Sequence, residues 1–222
     1  MMAKLSQDDF TNESFKFGAA KKIKVGEIDV WAQRLSYVGE LGYELYVKNN
    51  HAKKLYSLIV LEGKNFQMSH CGMHAMDIMR MESGFLHWGH DISPEENQYQ
   101  AGLSFTISSK KEDEFIGKKA LEKIKKEKIK SRFAMFTLKD SKPGEPLLLH
   151  DEPIYLENKI IGRSTSGNYS FNFRKNLTFS YINNDISNDE LHKKDLFIEV
   201  EKKKYPIEVI NKPLKLTNFK NN

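Results

Sequence analysis

The sequence predicts an α+β fold in which a ferredoxin-like α/β half-module is followed by a small antiparallel β-barrel. Residues 28–63 follow the order strand, turn, strand, helix, which is how an α+β layer begins. From residue 131 onward, short apolar runs recur roughly every 10 to 15 residues with turn residues between them, a pattern typical of a small barrel. The change of pattern places a domain boundary near residue 130.

The first module begins with a polar lead-in over residues 1–20, which we expect to be loosely ordered. Residues 28–37 are rich in β-branched and aromatic side chains, so they predict a strand. The two glycines in residues 38–42 favour a tight turn. Residues 43–47 predict a second strand, which makes the pair a hairpin, and residues 51–63 carry leucine and isoleucine at helical spacing.

The rest of the first module alternates helices and loops. Helical spacing of methionines predicts a helix over residues 72–83, and residues 88–91 form a loop after it. Residues 93–96 (Ser-Pro-Glu-Glu) have the composition of a helix start, with a serine cap, proline at the first position and glutamate three residues after the cap. Residues 101–108 predict a strand, and residues 115–130 predict a lysine-rich helix.

The second module consists of short apolar runs, which predict the strands of the barrel. These runs lie at residues 133–138, 147–149, 153–156, 159–163, 177–182, 196–200 and 205–210.

Composition excludes several classes of protein. The formal charge of +5 and pI of about 9.0 suggest a nucleic-acid binder, but the excess is mostly lysine without a base-reading motif, so we expect no nucleic-acid partner. Cys71 is the only cysteine, which excludes a disulfide framework. The N-terminus lacks the character of a signal or transit peptide, and no apolar run approaches the roughly 20 residues that span a bilayer. We therefore expect a soluble cytoplasmic protein with no membrane partner.

Four histidines invite a metal interpretation. They are His70, His74, His87 and His90, and the last two form an H-x-x-H pair next to Asp91. A site of that kind needs a third ligand in fixed geometry. The Trp-Gly context around this pair favours a packed turn, so we expect no metal.

The predicted hairpin combines aromatic rings and carboxylates, in Tyr37, Glu40, Tyr43 and Glu44. A planar heterocycle with N–H donors is bound by an aromatic surface and a carboxylate acceptor. Because side chains alternate along a strand, Tyr43 and Glu44 must point to opposite faces. Judged by spacing alone, an ordinary hairpin with exposed acids is the favoured interpretation of this segment.

Several motifs, taken in order, carry a resemblance to a known family. They are Arg34-Leu-Ser-Tyr-Val-Gly-Glu-Leu-Gly-Tyr-Glu44, Gly72-Met-His-Ala-Met-Asp-Ile-Met-Arg-Met-Glu-Ser-Gly84, Trp88-Gly-His-Asp91, Ala101-Gly-Leu103, Phe115-Ile-Gly-Lys118, Ile161-Gly-Arg-Ser-Thr-Ser-Gly167 and Lys175-Asn-Leu-Thr-Phe-Ser-Tyr-Ile182. Together they resemble the aminomethyltransferase family, the T-protein of the glycine cleavage system. They are more similar still to the same module fused behind a flavin domain in dimethylglycine and sarcosine dehydrogenases. The resemblance covers residues 15 to 215.

The resemblance implies a tetrahydrofolate site. Glu44 would accept hydrogen bonds from the pterin ring, Tyr37 would help to wall the pocket, and Phe105 falls where the family carries an aromatic lining residue. A family arginine that contacts the folate tail is replaced here by Met76, just before Asp77. That contact is therefore not expected in this chain.

Asp77 and Arg80 lie three residues apart on the predicted helix. Side chains at this spacing are neighbours on a helix surface, so we expect an ion pair or a cap network.

The resemblance also implies what lies outside the chain. The family's upstream portion contributes an aspartate that acts on the folate amine, and no match to it occurs before Ser14; no flavin-binding G-x-G-x-x-G occurs either. We therefore expect residues 1–130 to be the C-terminal portion of the folate-binding domain and residues 131–222 the C-terminal β-barrel domain, with no catalytic residue of their own. FAD would come only from a flavin-containing N-terminal half or partner.

The expected function is the tetrahydrofolate-binding part of a one-carbon transfer enzyme, incomplete alone. Two alternatives stay open. One is a non-catalytic folate-binding or regulatory subunit, and the other is a folate-dependent demethylase of another N- or S-methyl substrate.

Overall fold

The computed structural model describes residues 1–108, 111 and 113–215. Their contacts divide the chain into two compact units, Met1–Ser83 with Lys215, and Gly84–Leu214. The first unit holds a three-stranded antiparallel sheet with helices, and the second holds a closed six-stranded antiparallel barrel. The predicted α+β fold with a terminal barrel is confirmed.

The first unit contains three strands, three α-helices and one 3₁₀ turn among its described residues. These are α1 (Met2–Leu5), β1 (Ala20–Val25), β2 (Ile28–Gln33), β3 (Glu44–Tyr46), α2 (Asn49–Gly63), the 3₁₀ turn Lys64–Phe66 and α3 (Met73–Glu82). The strands lie in the order β1-β2-β3, so β2 and β3 form the predicted hairpin and β1 is a further partner of β2.

One face of this sheet is buried and the other is exposed. Burial alternates along β2, where Ile28, Val30 and Ala32 point inward. Their neighbours in the core come from the sheet, from α2 and from the N-terminal segment: Phe15, Ile23, Val25 and Leu55. Because a strand has a period of two, the inward positions determine which side chains face outward.

Residues 1–20 pack against the first unit more extensively than their polar composition predicts. They contain α1, and the Phe15 side chain is fully buried in the core of the first unit. Phe10 packs against the same core, with its ring centroid 5.8 Å from that of Phe15. The expectation of a loosely ordered segment was wrong because these two aromatic side chains bury enough apolar surface to hold it.

The second unit contains the barrel and its connections. Its elements are the 3₁₀ turn Ser104–Thr106, α4 (Lys118–Lys126), β4 (Ser131–Leu138), β5 (Pro153–Leu156), β6 (Lys159–Ser170), β7 (Lys175–Asn183), α5 (Asn188–Lys193), β8 (Leu196–Val200) and β9 (Lys203–Ile210). The strand order is β4-β7-β6-β5-β8-β9, and pairing of β9 with β4 closes the barrel. Six of the seven predicted runs are strands. Residues 147–149 are not, although Leu148 is buried in the barrel core.

The predicted helix start at Ser93 forms its cap without a helix. The Glu96 carboxylate accepts hydrogen bonds from the Ser93 amide and hydroxyl at 2.8 and 2.7 Å. Directly afterwards, the Asn97 side-chain oxygen accepts from the amides of Tyr99 and Gln100 at 3.0 and 3.1 Å. These local side-chain bonds replace the backbone bonds of a helix, which is why the prediction was wrong.

The strand predicted over residues 101–108 is also absent. This segment contains turns and the 3₁₀ turn Ser104–Thr106 instead. Gly102 has a φ of +70°, and the Thr106 amide donates to the Leu103 carbonyl at 2.9 Å, so the backbone curls rather than extends. Apolar composition alone could not distinguish this curl from a strand.

Among residues 1–108, 111 and 113–215, no helix is both long and apolar enough to cross a membrane.

Gly162 allows β6 to approach β7 closely. A Cβ built at this position would overlap the Tyr181 carbonyl oxygen and would lie 2.8 Å from Ile182 Cα. The obstructing atoms are backbone atoms of a paired strand, so no side-chain rotation can relieve the overlap.

We therefore expect Gly162→Ala to lower the free energy of unfolding by about 1–3 kcal/mol, the usual cost of overpacking. The matched control is Gly72→Ala, because nothing lies within 4 Å of a Cβ there. Gly72 is the N-cap of α3, so this variant loses only the preference for glycine over alanine at that position, about 0.5–1 kcal/mol. Urea unfolding followed by circular dichroism measures both. Equal midpoints for the two variants would contradict the close approach.

Candidate functional site

The motif that begins at Arg34 is anchored by the Arg34 side chain, which is only 1% exposed. Its Nη1 donates to the Phe15 carbonyl oxygen at 2.6 Å. Its backbone amide donates to the Ala19 carbonyl, and its carbonyl accepts from the Gly18 amide. Arg34 therefore ties the end of β2 to the N-terminal segment, and β2 ends at Gln33 rather than at Tyr37 as predicted.

Glycine is required at two positions of the motif, for a different structural reason at each. Gly39 has a φ of +71°, in the left-handed region that favours glycine. Gly42 packs against the chain, because a Cβ there would lie 2.8 Å from the Leu35 carbonyl oxygen. The connection between β2 and β3 is thus compact and returns the chain to β3 in a fixed register.

The next two residues of the motif point in opposite directions, as strand alternation predicts. The Tyr43 ring packs on Phe10 and Phe15 with centroid separations of 5.5 and 5.3 Å, and burial raises the pKa of its phenol. Glu44 is exposed. The Tyr46 hydroxyl, two residues further along the same face, donates a hydrogen bond to Glu44 Oε2.

Glu44 lies on the exposed face of the sheet together with two aromatic side chains. Trp31 is directly opposite Tyr46 in the register, and Gln33 is opposite Glu44. Trp31 and Tyr46 are 45% and 53% exposed. We call Trp31, Gln33, Glu44 and Tyr46 the outer face. It presents a carboxylate, an amide and two rings to solvent within the first unit.

The other two predicted folate residues are not on the outer face. Tyr37 is half-buried in the connection between β2 and β3. Phe105 is 81% exposed on the 3₁₀ turn Ser104–Thr106 of the second unit. The folate roles assigned to Glu44, Tyr37 and Phe105 remain predictions.

The connection that carries Tyr37 is held at two further points. The Ser83 hydroxyl donates to the Val38 carbonyl at 3.2 Å, and Lys215 Nζ forms an ion pair with Glu40. This segment is therefore fixed to the end of α3 by side chains far from it in sequence.

The predicted ion pair between Asp77 and Arg80 is confirmed. Arg80 Nε and Nη2 both donate to Asp77 Oδ1, at 2.9 and 2.7 Å, and the Arg80 side chain is 1% exposed. A guanidinium this deeply buried is not presented to a ligand.

Asp91 joins two motifs that are far apart in sequence. It is 1% exposed, and its Oδ1 accepts from the hydroxyls of Thr165 and Ser166 at 2.5 and 2.8 Å. Its Oδ2 accepts from the His87 amide at 2.9 Å. The Trp-Gly-His-Asp loop is thereby fixed to β6. Both motifs are visible in the sequence, but their connection through one carboxylate was not predicted.

His87 and His90, the H-x-x-H pair, stack on each other. The rings of His87 and His90 stack with their centroids 4.4 Å apart and their planes at 17°. In the part of the chain that the structure describes, no three His, Cys, Asp or Glu side chains are grouped so that they could hold a metal ion.

The barrel unit carries a concave surface of its own, a cleft of about 850 Å³. At one end Asp151 pairs with Arg163 and lies 2.8 Å from His150 Nδ1, and these bonds lower the pKa of its carboxyl. Tyr181 lines the cleft as well, and its pKa is raised by burial and by the negative charges of Glu96 and Asp91. The cleft is polar and open, without a geometry that specifies one ligand.

Comparison with known families gives two matches along the chain. The family described as the GCVT N-terminal domain matches residues 1–111. The glycine cleavage T-protein C-terminal barrel domain matches residues 132–215.

Curated relatives of known activity are similar over nearly the whole chain. Human mitochondrial dimethylglycine dehydrogenase is 35% identical over 98% of the chain and 24% of that protein. The formaldehyde-forming 4-methylaminobutanoate oxidase of Paenarthrobacter nicotinovorans is 30% identical over 96% of the chain and 25% of that protein. Aminomethyltransferase of Listeria welshimeri is 30% identical over 96% of the chain and 56% of that protein. The chain thus spans about a quarter of the length of the dehydrogenases and about half that of the transferase.

A solved structure shares the fold. The glycine cleavage system aminomethyltransferase T of Bartonella henselae superposes with a TM-score of 0.76 at 21% identity, covering 91% of this chain and 54% of that one.

The buried hydrogen bonds of Asp91 generate a stability prediction. We expect Asp91→Ala to lower the free energy of unfolding by about 3 kcal/mol, because two buried hydroxyls and the part-buried His87 amide lose their acceptor. Asp91→Asn should cost less, since the Thr165 and Ser166 hydroxyls can turn to accept from the amide. Asp140→Ala, at an exposed aspartate of the same unit, is the control. Urea unfolding measures all three, and an Asp91→Ala midpoint equal to that of the control would refute the role.

Proposed function

This chain belongs to the glycine cleavage T-protein family, and we propose that it forms the tetrahydrofolate-binding part of a one-carbon transfer enzyme. In this proposal Glu44 accepts hydrogen bonds from the pterin ring. The observation that carries it is the position of Glu44, which is exposed at the start of β3 on a face that also presents aromatic rings. A family site that holds a pterin needs such an acceptor.

The chemistry of the pterin ring suits a carboxylate. Its amino group and the adjacent ring N–H point in the same direction, so one carboxylate can accept two parallel hydrogen bonds. An ionised glutamate offers about four acceptor positions, and the Tyr46 hydroxyl occupies one at Oε2. Acceptor capacity therefore remains on the Glu44 side chain for a ligand.

We propose binding rather than complete catalysis for these residues. The named relatives act on different compounds, dimethylglycine and 4-methylaminobutanoate among them, while sharing this module. A shared module is best suited to the shared step, capture of the one-carbon unit by a folate held in place, where binding supplies proximity and orientation. We assign proton transfer, and any flavin chemistry, to a further polypeptide segment or partner.

The proposal divides the chain as the sequence analysis does. Residues 1–130 would contribute the folate-contacting surface, and the barrel within residues 131–222 would be the C-terminal domain. Tyr37 would add to the lining within the first unit, and the lining role that the resemblance gives to Phe105 stays a prediction. Location in the cytoplasm stays a prediction, and the human dimethylglycine dehydrogenase to which the chain is similar is mitochondrial.

Isothermal titration calorimetry of the chain with tetrahydrofolate tests the proposal. We expect binding with a dissociation constant in the millimolar range or below, and Glu44→Gln should raise that constant about tenfold or more, because hydrogen bonds to a charged acceptor are lost. Glu27→Gln is the control, since it removes one exposed carboxylate from the turn between β1 and β2.

Two results would contradict the proposal. Absence of binding at millimolar tetrahydrofolate would refute a folate site in this chain. Equal affinity of the wild-type and Glu44→Gln chains would refute the role of Glu44.

A further inference from the structure

The outer face contains two aromatic side chains that the resemblance does not explain. Trp31 and Tyr46 are a directly opposed pair across β2 and β3, and each is about half exposed. Tyr46 lies two residues from Glu44 and donates a hydrogen bond to it. Neither ring belongs to the hydrophobic core of the unit.

We propose that Tyr46 and Trp31 are working parts of the folate site. Tyr46 is a positioning residue that holds the Glu44 carboxylate, and the indole of Trp31 is a flat surface against which the pterin packs. This inference rests on the proposed function and adds two residues to it.

The register of the sheet determines how far apart the Trp31 and Glu44 side chains lie. Side chains directly opposite one another have Cβ atoms about 5 Å apart, and diagonal neighbours about 7 Å apart. Trp31 is opposite Tyr46 and therefore diagonal to Glu44. A fused two-ring heterocycle is about as wide as this diagonal, so one ring system can contact the carboxylate with its edge and the indole with its face.

The hydrogen bond from Tyr46 limits the conformations of Glu44. An exposed glutamate samples several rotamers, and ordering it at the moment of binding costs free energy. A phenol bonded to Oε2 reduces that cost in advance. The hydrogen bond to the Glu44 carboxylate also raises the pKa of the Tyr46 phenol, since it favours the protonated form that donates.

Ordinary strand stability is the competing explanation. Aromatic residues favour strands, and an aromatic cross-strand pair stabilises a hairpin without any ligand. This explanation predicts that replacing either ring changes stability only. The proposal predicts a change in folate affinity that depends on Glu44.

The first test is a double-mutant cycle measured by calorimetry with tetrahydrofolate. Tyr46→Phe should raise the dissociation constant about three- to tenfold in the wild-type chain. It should have no further effect in the Glu44→Gln chain, because the phenol acts through the carboxylate. Tyr56→Phe is the control; Tyr56 is an exposed tyrosine on α2 that contacts His70.

The second test uses intrinsic fluorescence, since the chain has only two tryptophans, Trp31 and Trp88. We expect tetrahydrofolate to quench the emission of the Trp88→Phe chain and to leave that of the Trp31→Phe chain unchanged. Free tryptophan amide corrects for absorption by the ligand.

The outcomes separate this inference from the proposed function. Wild-type binding together with unchanged affinity in Tyr46→Phe and unquenched Trp31 emission would overturn the inference and leave the folate site standing. Equal effects of Tyr46→Phe with and without Glu44 would overturn the positioning role. Absence of wild-type binding would overturn both.

Discussion

The period of two along β2 and β3 is the constraint on which the candidate site depends. Val30, Ala32 and Leu45 pack toward the core of the first unit, so Trp31, Glu44 and Tyr46 must face outward. A slip of one residue in β3 would bury Glu44 and expose Leu45. The register therefore determines whether the outer face presents the Glu44 carboxylate, and every proposal about folate depends on it.

The residues that fix this register are those of the family motif itself. Arg34 is buried and bonded to the N-terminal segment, while Gly39 and Gly42 give the connection its compact path. Tyr43 then anchors the start of β3 in the core. Most of the motif thus serves structure, and only its last residue, Glu44, is proposed to contact a ligand.

The spacing of apolar and turn residues predicted most strands of the barrel, but it did not predict contacts between distant parts of the chain. The barrel strands follow from apolar runs separated by turn residues. In contrast, β1 was not predicted, although Ile23 and Val25 alternate there with lysines in a regular strand pattern. Trp31 and Tyr46 could have been identified by extending the alternation argument beyond Glu44. The hydrogen bond between Asp91 and Thr165 could not have been predicted, because 74 residues separate the two and no local spacing encodes such a contact. The prediction of a strand over residues 101–108 was wrong for a related reason. The apolar composition fits a strand, but Gly102 and the 3₁₀ turn Ser104–Thr106 curl the backbone.

The central claim is that the outer face of the first unit binds reduced folate. A titration of the ¹⁵N-labelled chain with tetrahydrofolate, followed by amide and indole chemical shifts, tests it most directly. We expect the Trp31 indole signal and the amides of residues 31–33 and 44–46 to shift together and to saturate with one dissociation constant. Shifts confined to the barrel residues 131–210, with the signals of β2 and β3 unmoved, would contradict it.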